Sequence, residues 1–172
     1  MKPAEEIHEP KPVLLVACLC DNVIIEKDGT VSVIRMVDSV TLMIPKPDAM
    51  PEDFVKSFPP EVAAKLMTAA PLIQLKLLIC VKAGEYSGTV SLKTRLITTS
   101  GKVRDFQPIG ESVELKEPNA GLNAIMDLRL LVRRVGLCWI EVFVNEEIRS
   151  RIPLLIQLGE GSAPLPELPE NE

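Results

Sequence analysis

The sequence has few of the side chains from which catalytic sites are commonly built. Its 172 residues include a single histidine, His8, and only 3% aromatic residues. A nucleophilic serine or cysteine needs a base within hydrogen-bond reach, and His8, in a charged N-terminal stretch, is badly placed to serve as one. Neither a Gly-x-Ser-x-Gly motif nor a glycine-rich phosphate loop is present. We therefore predict that the chain is not an enzyme and holds no cofactor.

Cysteines are also scarce, and their spacing is not that of a metal site. Cys18 and Cys20 share one face of a predicted strand, whereas Cys80 and Cys138 each stand alone. Structural zinc sites prefer pairs of ligands two to four residues apart in turns. We therefore predict no metal site and expect these thiols to be free and buried.

Long apolar runs are absent as well. No stretch of about 18 apolar residues occurs, so we predict no transmembrane helix and no membrane partner. The segment Leu15-Val16-Ala17-Cys18 has the form of a lipoprotein cleavage site. A signal peptide needs an apolar stretch of roughly 7–15 residues before cleavage, and here only Val13–Ala17 is apolar. With no export signal and few cysteines, the expected compartment is the reducing cytoplasm.

The net charge is acidic. Lysines and arginines number 19 against 24 aspartates and glutamates, which gives a net charge of −5. An acidic chain repels the phosphate backbone unless its basic residues segregate onto one face. The composition therefore predicts no nucleic-acid partner.

Apolar residues are plentiful and follow the periodicity of strands. They make up 47% of the chain, and Val, Ile and Leu dominate. Apolar and polar residues alternate along Thr89–Thr98, and alternation is nearly unbroken from Gly136 to Val144 and from Ile148 to Leu158. Asp28-Gly29 is a strong hairpin signal, and we expect the strand that begins at Thr30 to run on toward Ile44. A tight turn is expected at Asn145-Glu146. Eight or nine strands of this kind predict an all-β fold, a two-sheet antiparallel immunoglobulin-like sandwich.

One segment departs from the strand pattern. Residues 45–71 are rich in proline, and within them Glu61–Ala70 has the composition of a helix. We expect a partly helical insertion that caps the sandwich. The predicted organisation is a flexible arm (1–12), a β-sandwich domain (13–158) and a disordered, acidic, proline-rich tail (159–172).

Two stretches of the sequence resemble a known family. They are the opening Val13–Cys20 with the Asp28-Gly29 hairpin that follows, and the closing Gly136-x-Cys138-x-Ile140-x-Val142-x-Val144-Asn145 with Arg151-Ile152-Pro153-Leu154. This arrangement is similar to an uncharacterised bacterial domain-of-unknown-function family with an immunoglobulin-like β-sandwich. The resemblance covers most of residues 13–158 apart from the insertion. It implies the fold alone, because that family has no established activity.

The outer face of the last two strands is a candidate interaction surface. If Cys138 and its alternating neighbours point inward, Trp139 and Phe143 point outward, and Arg149 and Arg151 lie across the turn on the same face. Trp and Arg are enriched at interaction hot spots. Alternatively, the insertion at 45–71 folds over this face and buries it.

These observations together predict a non-enzymatic protein-interaction or self-association module of bacterial type, which binds a protein partner or forms a homo-oligomer. The alternative is a small-ligand or carbohydrate-binding sandwich. Such a site needs a concave pocket lined by aromatic side chains, and the chain has only six aromatic residues.

Overall fold

The computed structural model describes residues 10–46, 70–106 and 112–166. These segments contain strands and no helix, so the predicted all-β class is confirmed. Eleven strands occur in the described residues, more than the eight or nine predicted. They are β1 (Val13–Ile25), β2 (Val31–Met36), β3 (Ser39–Leu42), β4 (Leu72–Lys82), β5 (Gly88–Val90), β6 (Leu92–Ile97), β7 (Val103–Asp105), β8 (Val113–Leu115), β9 (Gly121–Leu131), β10 (Gly136–Val144) and β11 (Glu147–Leu158).

The described strands form two large sheets and one small one. The first large sheet has the order β2-β1-β4-β9, and the second has the order β3-β11-β10-β6-β7. β5 and β8 form a separate two-stranded sheet. Among the described strands, β9 and β7 therefore lie at edges of the two large sheets, where they can frame a cleft.

The prediction of purely antiparallel sheets is wrong at one place. β3 pairs with β11 in parallel. We expected a single strand to run from Thr30 toward Ile44, but the chain leaves the first sheet after Met36 and joins the second sheet at Ser39. Because the chain changes sheets between β2 and β3, β3 pairs with β11 of the second sheet and runs parallel to it.

The core is a single apolar cluster shared by both large sheets. Its most deeply buried large side chains include, from β4, β10 and β11, Leu77, Ile79, Ile140, Val142 and Leu154. These side chains occupy the inward positions that alternation predicted. Their burial against one another holds the two sheets face to face, since apolar burial is the dominant favourable term in folding.

Two predicted turns are present. Gly29 has φ +83° in the β1–β2 connection, and the Asp28 carboxylate accepts a hydrogen bond from the Thr30 backbone N–H at 2.9 Å. That bond lowers the pKa of Asp28. In the β10–β11 hairpin, Asn145 and Glu146 both have positive φ, as a type I′ turn requires.

The insertion and the two termini are described only in part. Residues 47–69 lie outside the described residues, so the predicted helix Glu61–Ala70 is described at Ala70 alone, which is not helical. Of the tail predicted to be disordered, residues 159–166 are described. There the Ala163 N–H donates to the Ile44 carbonyl at 2.9 Å and Leu165 packs against the core. No helix long and apolar enough to cross a membrane occurs in the described segments.

Candidate functional site

The predicted interaction surface lies on the outer face of β10 and β11. Trp139 is 37% exposed and pairs with Pro153, while Phe143 is half-buried. Glu141 lies between the two aromatic residues and is only 2% exposed. Arg151 stands opposite Glu141, and its Nη2 forms an ion pair with Glu141 Oε1 at 2.9 Å. The structure therefore brings three of the four predicted residues to one face.

Arg149 takes a different direction. Its Nη2 donates to the backbone carbonyl of Pro12 at 3.0 Å, and its Nη1 lies 3.6 Å from Glu147 Oε2. A register shift between Val142 and Phe143 pairs Phe143 with Ile148, which leaves Arg149 without a place in the regular alternation. The guanidinium is thus held at the start of β1, away from the ion pair of Arg151.

Arg95 of β6 joins the outer face, although the sequence did not indicate it. Its Cζ lies 4.9 Å from the centroid of the Phe143 ring, and its Nη1 is 3.8 Å from Glu141 Oε2. Its Nε also donates to Asp105 at 2.9 Å, which raises the pKa of Arg95. Glu141 is therefore held between two guanidinium groups, and its negative charge is compensated.

A cleft of about 580 Å³ lies where β9 and β7 form the two sheet edges. The β6–β7 hairpin contributes one wall, and the end of β9 with the following turn contributes the other. Leu165 and Pro166 complete the lining. Five of the chain's 19 lysines and arginines line this cleft, namely Lys102, Arg104, Arg129, Arg133 and Arg134. Among the described lining residues, none is an aspartate or a glutamate.

The β6–β7 hairpin orients two of these cations. Leu96 pairs with Arg104, and Leu96 is buried, so Arg104 shares the inward face of its strand. Lys102 lies two residues before Arg104 in the sequence, so its side chain points to the same side. The turn is closed by a hydrogen bond from the Thr98 N–H to the Lys102 carbonyl at 2.9 Å, with Gly101 at φ +78°. Both cations are thus directed toward the β9 side of the cleft.

The interior of the cleft is apolar and carries hydroxyl groups. Leu96, Leu130, Val132 and Ile156 contribute apolar surface. Cys138 also lines the cleft, and its burial raises the pKa of its thiol. Hydroxyl groups come from Thr98, Thr99 and Ser100. A cationic rim above a neutral interior can attract an anion and exclude water from part of it.

Two of the cleft cations, Lys102 and Arg104, differ in their pairing from many of the basic residues that the structure describes outside the cleft. Lys11, Lys76 and Lys93 each contact a carboxylate, as do Arg95 and Arg151. Lys102 and Arg104, by contrast, have no ion-pair partner in the segments that the structure describes. Their charge is consequently not compensated within those segments and contributes to a positive potential at the cleft.

The cysteines do not form a metal site in the described part of the chain. All four are free, and Cys18, Cys20 and Cys138 are buried. Burial raises the pKa of Cys18, Cys20 and Cys80, so these thiols are neutral at pH 7. Within the described segments, no group of three or more His, Cys, Asp or Glu side chains is arranged to hold a metal ion.

Of the comparisons with known proteins, only the one with solved structures gives matches. No family model matches the chain, and no curated protein matches it. Among solved structures, the chain is similar to the Pseudomonas fluorescens alkylpurine DNA glycosylase AlkC bound to DNA containing an abasic site analog. The two are 13% identical with a TM-score of 0.41, and the match covers 55% of this chain and 33% of that chain. The match therefore spans about a third of the glycosylase.

Two predictions are corrected on this finding. We predicted a non-enzymatic protein-interaction or self-association module, and we predicted no nucleic-acid partner. Both predictions conflict with a structural neighbour that is a DNA glycosylase bound to DNA. Neither prediction is retained. Because a likeness at this TM-score carries no argument for what the present chain does, its function has to be inferred from its own cleft. That the chain is not an enzyme stays a prediction.

The exclusion of nucleic acid from the acidic net charge also fails for a physical reason, independent of this structural neighbour. Net charge is a sum over the whole chain, whereas a ligand meets the local field. The composition allowed one exception, a segregation of basic residues onto one face, and the cleft is such a segregation. The adjacent pair Arg133-Arg134 and the spacing Lys102-x-Arg104 were signals for it, but only the strand order shows that they meet.

Proposed function

We propose that this chain binds nucleic acid by placing the sugar-phosphate backbone in the basic cleft. The observation that carries the proposal is the set of five cations around the cleft with no carboxylate among its described lining residues. Guanidinium groups match phosphate geometry in a bidentate manner, and four of the five cations are arginines. Contacts of this kind give affinity without reading base sequence.

The position of the cleft favours an extended ligand. Its cations come from both sheet edges and from the turn after β9, so they surround an open side of the fold. The chain as a whole has a net charge of −5 and repels polyanions elsewhere. A polyphosphate backbone is therefore directed to the cleft, where its charge is compensated.

Fluorescence anisotropy with a labelled oligonucleotide of about 16 nucleotides tests this proposal. We expect a dissociation constant of about 1–100 µM at physiological salt, the range of sequence-independent binding. Lys102→Glu should weaken binding about five- to tenfold, since it removes a phosphate contact and adds a repulsive charge.

Lys116→Glu is the matched control. Lys116 is exposed and lies outside the cleft lining. Its substitution by Glu changes the net charge by the same amount as Lys102→Glu. Its affinity should stay within about twofold of the unmodified chain. Absence of binding by the unmodified chain, or equal weakening by both substitutions, would contradict the proposal.

We also propose that the two large sheets form an immunoglobulin-like sandwich related to the bacterial family that the sequence resembles. The shared core and the alternation of β10 and β11 support this proposal. The parallel pairing of β3 with β11 is the one departure, among the described strands of the two large sheets, from an antiparallel sandwich. An experimental structure with a different strand order would contradict it.

We propose the cytoplasm as the working compartment. Cys18 lies on β1 and Cys80 on the neighbouring β4, where Val16 pairs with Cys80 and Cys18 with Leu78, yet both thiols are free. Free thiols at such close positions suit a reducing compartment. Export of a tagged chain from its native host would contradict this assignment.

A further inference from the structure

We propose that the nucleic acid is single-stranded and that one of its bases stacks on Trp139. This inference rests on the proposed function, because the cleft supplies the phosphate contacts. It adds a second element of recognition, an aromatic surface beside a basic groove. Proteins that bind single strands combine these two features, since every base has an apolar face that can stack.

The strand register places Trp139 close to the cleft. Trp139 pairs with Ile97, which in turn pairs with Val103 of the edge strand. Neighbouring strands lie about 4.8 Å apart, so Val103 is about 10 Å from Trp139 across the sheet. Lys102 and Arg104 flank Val103 on the same strand and point to the opposite side. The path from Trp139 around the sheet edge to the cleft therefore crosses β6 and the edge strand β7.

The surface between Trp139 and the sheet edge suits a base and its sugar. Val103 and Leu137 are exposed apolar residues on the outer face, and Ile97 is partly exposed between Trp139 and Val103. Exposed apolar surface of this kind, bordered by cations, is typical of a binding surface. A flexible strand can pass around β7, with its phosphates in the cleft and a base on the outer face.

The second aromatic residue is already covered. The Arg95 guanidinium lies over the Phe143 ring at 4.9 Å, so that ring has one face occupied. Trp139 has no such contact among the described residues and is 37% exposed. The nearby charges of Arg95 and Arg151 are balanced by Glu141 and Asp105, and the outer face therefore does not repel a passing phosphate. Trp139 is accordingly the stacking residue.

A duplex cannot make the same contacts. Its bases are stacked inside the helix, and its persistence length of about 50 nm prevents a sharp bend around a single strand of a sheet. Duplex DNA should therefore reach the cleft cations but not Trp139. Single-strand and duplex binding then respond differently to a change at Trp139.

Tryptophan fluorescence gives a direct readout, because Trp139 is the only tryptophan in the sequence. We expect oligo(dT) of about 16 nucleotides to quench this fluorescence on binding, and a duplex of the same length to bind without quenching. Trp139→Ala should weaken single-strand binding about five- to a hundredfold and leave duplex binding within about twofold. Trp139→Phe should restore part of the loss.

Ile34→Ala is the matched control, since Ile34 is an exposed apolar residue on β2, outside the cleft lining. Circular dichroism and urea unfolding of the Trp139 variants verify that the fold is retained. Binding without quenching, or equal single-strand affinity of the unmodified and Trp139→Ala chains, overturns the stacking inference and leaves the basic cleft standing. Failure of both nucleic acids to bind overturns the proposed function as well.

Discussion

Glu141 shows how a single charged side chain can be accommodated in a face built mostly from apolar residues. It is 2% exposed and forms an ion pair with Arg151 at 2.9 Å, with Arg95 at 3.8 Å on its other oxygen. Burying a carboxylate at such a position is costly unless the charge is paired. Its role is to hold Arg95 and Arg151 in place beside the aromatic residues.

Glu141→Gln should destabilise the fold by about 1–2 kcal/mol, because it removes the buried negative charge that pairs with Arg151 and Arg95. The measurement is the free energy of unfolding from urea denaturation. Asp105→Asn is the control, since Asp105 binds the same Arg95 from an exposed position. That control should cost less than about 0.5 kcal/mol. Equal losses in the two variants would show that burial at Glu141 is unimportant.

The sequence predicted the directions of some side chains and not of others. The alternation of β10 indicated that Trp139 and Phe143 lie opposite Cys138, and the structure has this arrangement. The position of Arg149 could not be derived, because a one-residue register shift in the hairpin leaves no mark in the hydrophobic pattern. Arg95 was missed because its contact with Phe143 depends on the pairing of β6 with β10.

The β10–β11 hairpin turns through two residues in a conformation that L-amino acids disfavour. Asn145 has φ +50° and Glu146 has φ +66°. Asn145 suits this region and also fixes the turn, because its Oδ1 accepts from the Ser91 N–H at 2.9 Å. Glu146 has only an exposed ion pair with Lys93. Glu146 is therefore the less favourable of the two turn residues for a positive φ.

Glu146→Gly should stabilise the chain by about 0.5–1.5 kcal/mol, since glycine relieves the positive φ and completes an Asn-Gly turn. The lost surface ion pair offsets only a small part of this gain. Thermal unfolding followed by circular dichroism measures the effect. The same substitution in a regular strand, Glu114→Gly in β8, should lower stability, and a fall in both variants would refute the assignment of strain to the turn.

Strands and tight turns were the most predictable elements. Period-two patterns and the Asp28-Gly29 and Asn145-Glu146 signals are local, so the residues themselves specify them. The crossing between β2 and β3 and the extension of β9 back to Gly121 were not predicted. Both depend on which strand is available as a hydrogen-bonding partner, and this is a property of the assembled sheets.

The molecule as a whole combines an acidic chain with a basic cleft. The composition alone led to the exclusion of nucleic acid, because 24 acidic residues outnumber 19 basic ones. The order of strands overturns that inference by bringing β7, β9 and the turn after β9 together around one cleft. The site could not be predicted from the sequence because its cations are up to 32 positions apart, from Lys102 to Arg134.

The salt dependence of oligo(dT) binding tests the central claim most directly. Five phosphate contacts, each contributing about −0.7, give a slope of about −3.5 in a plot of log affinity against log salt concentration. Arg104→Gln should make this slope less steep by about 0.7, whereas Lys116→Gln should leave it unchanged. A slope near zero, or one that Arg104→Gln does not alter, would contradict binding of the phosphate backbone in the cleft.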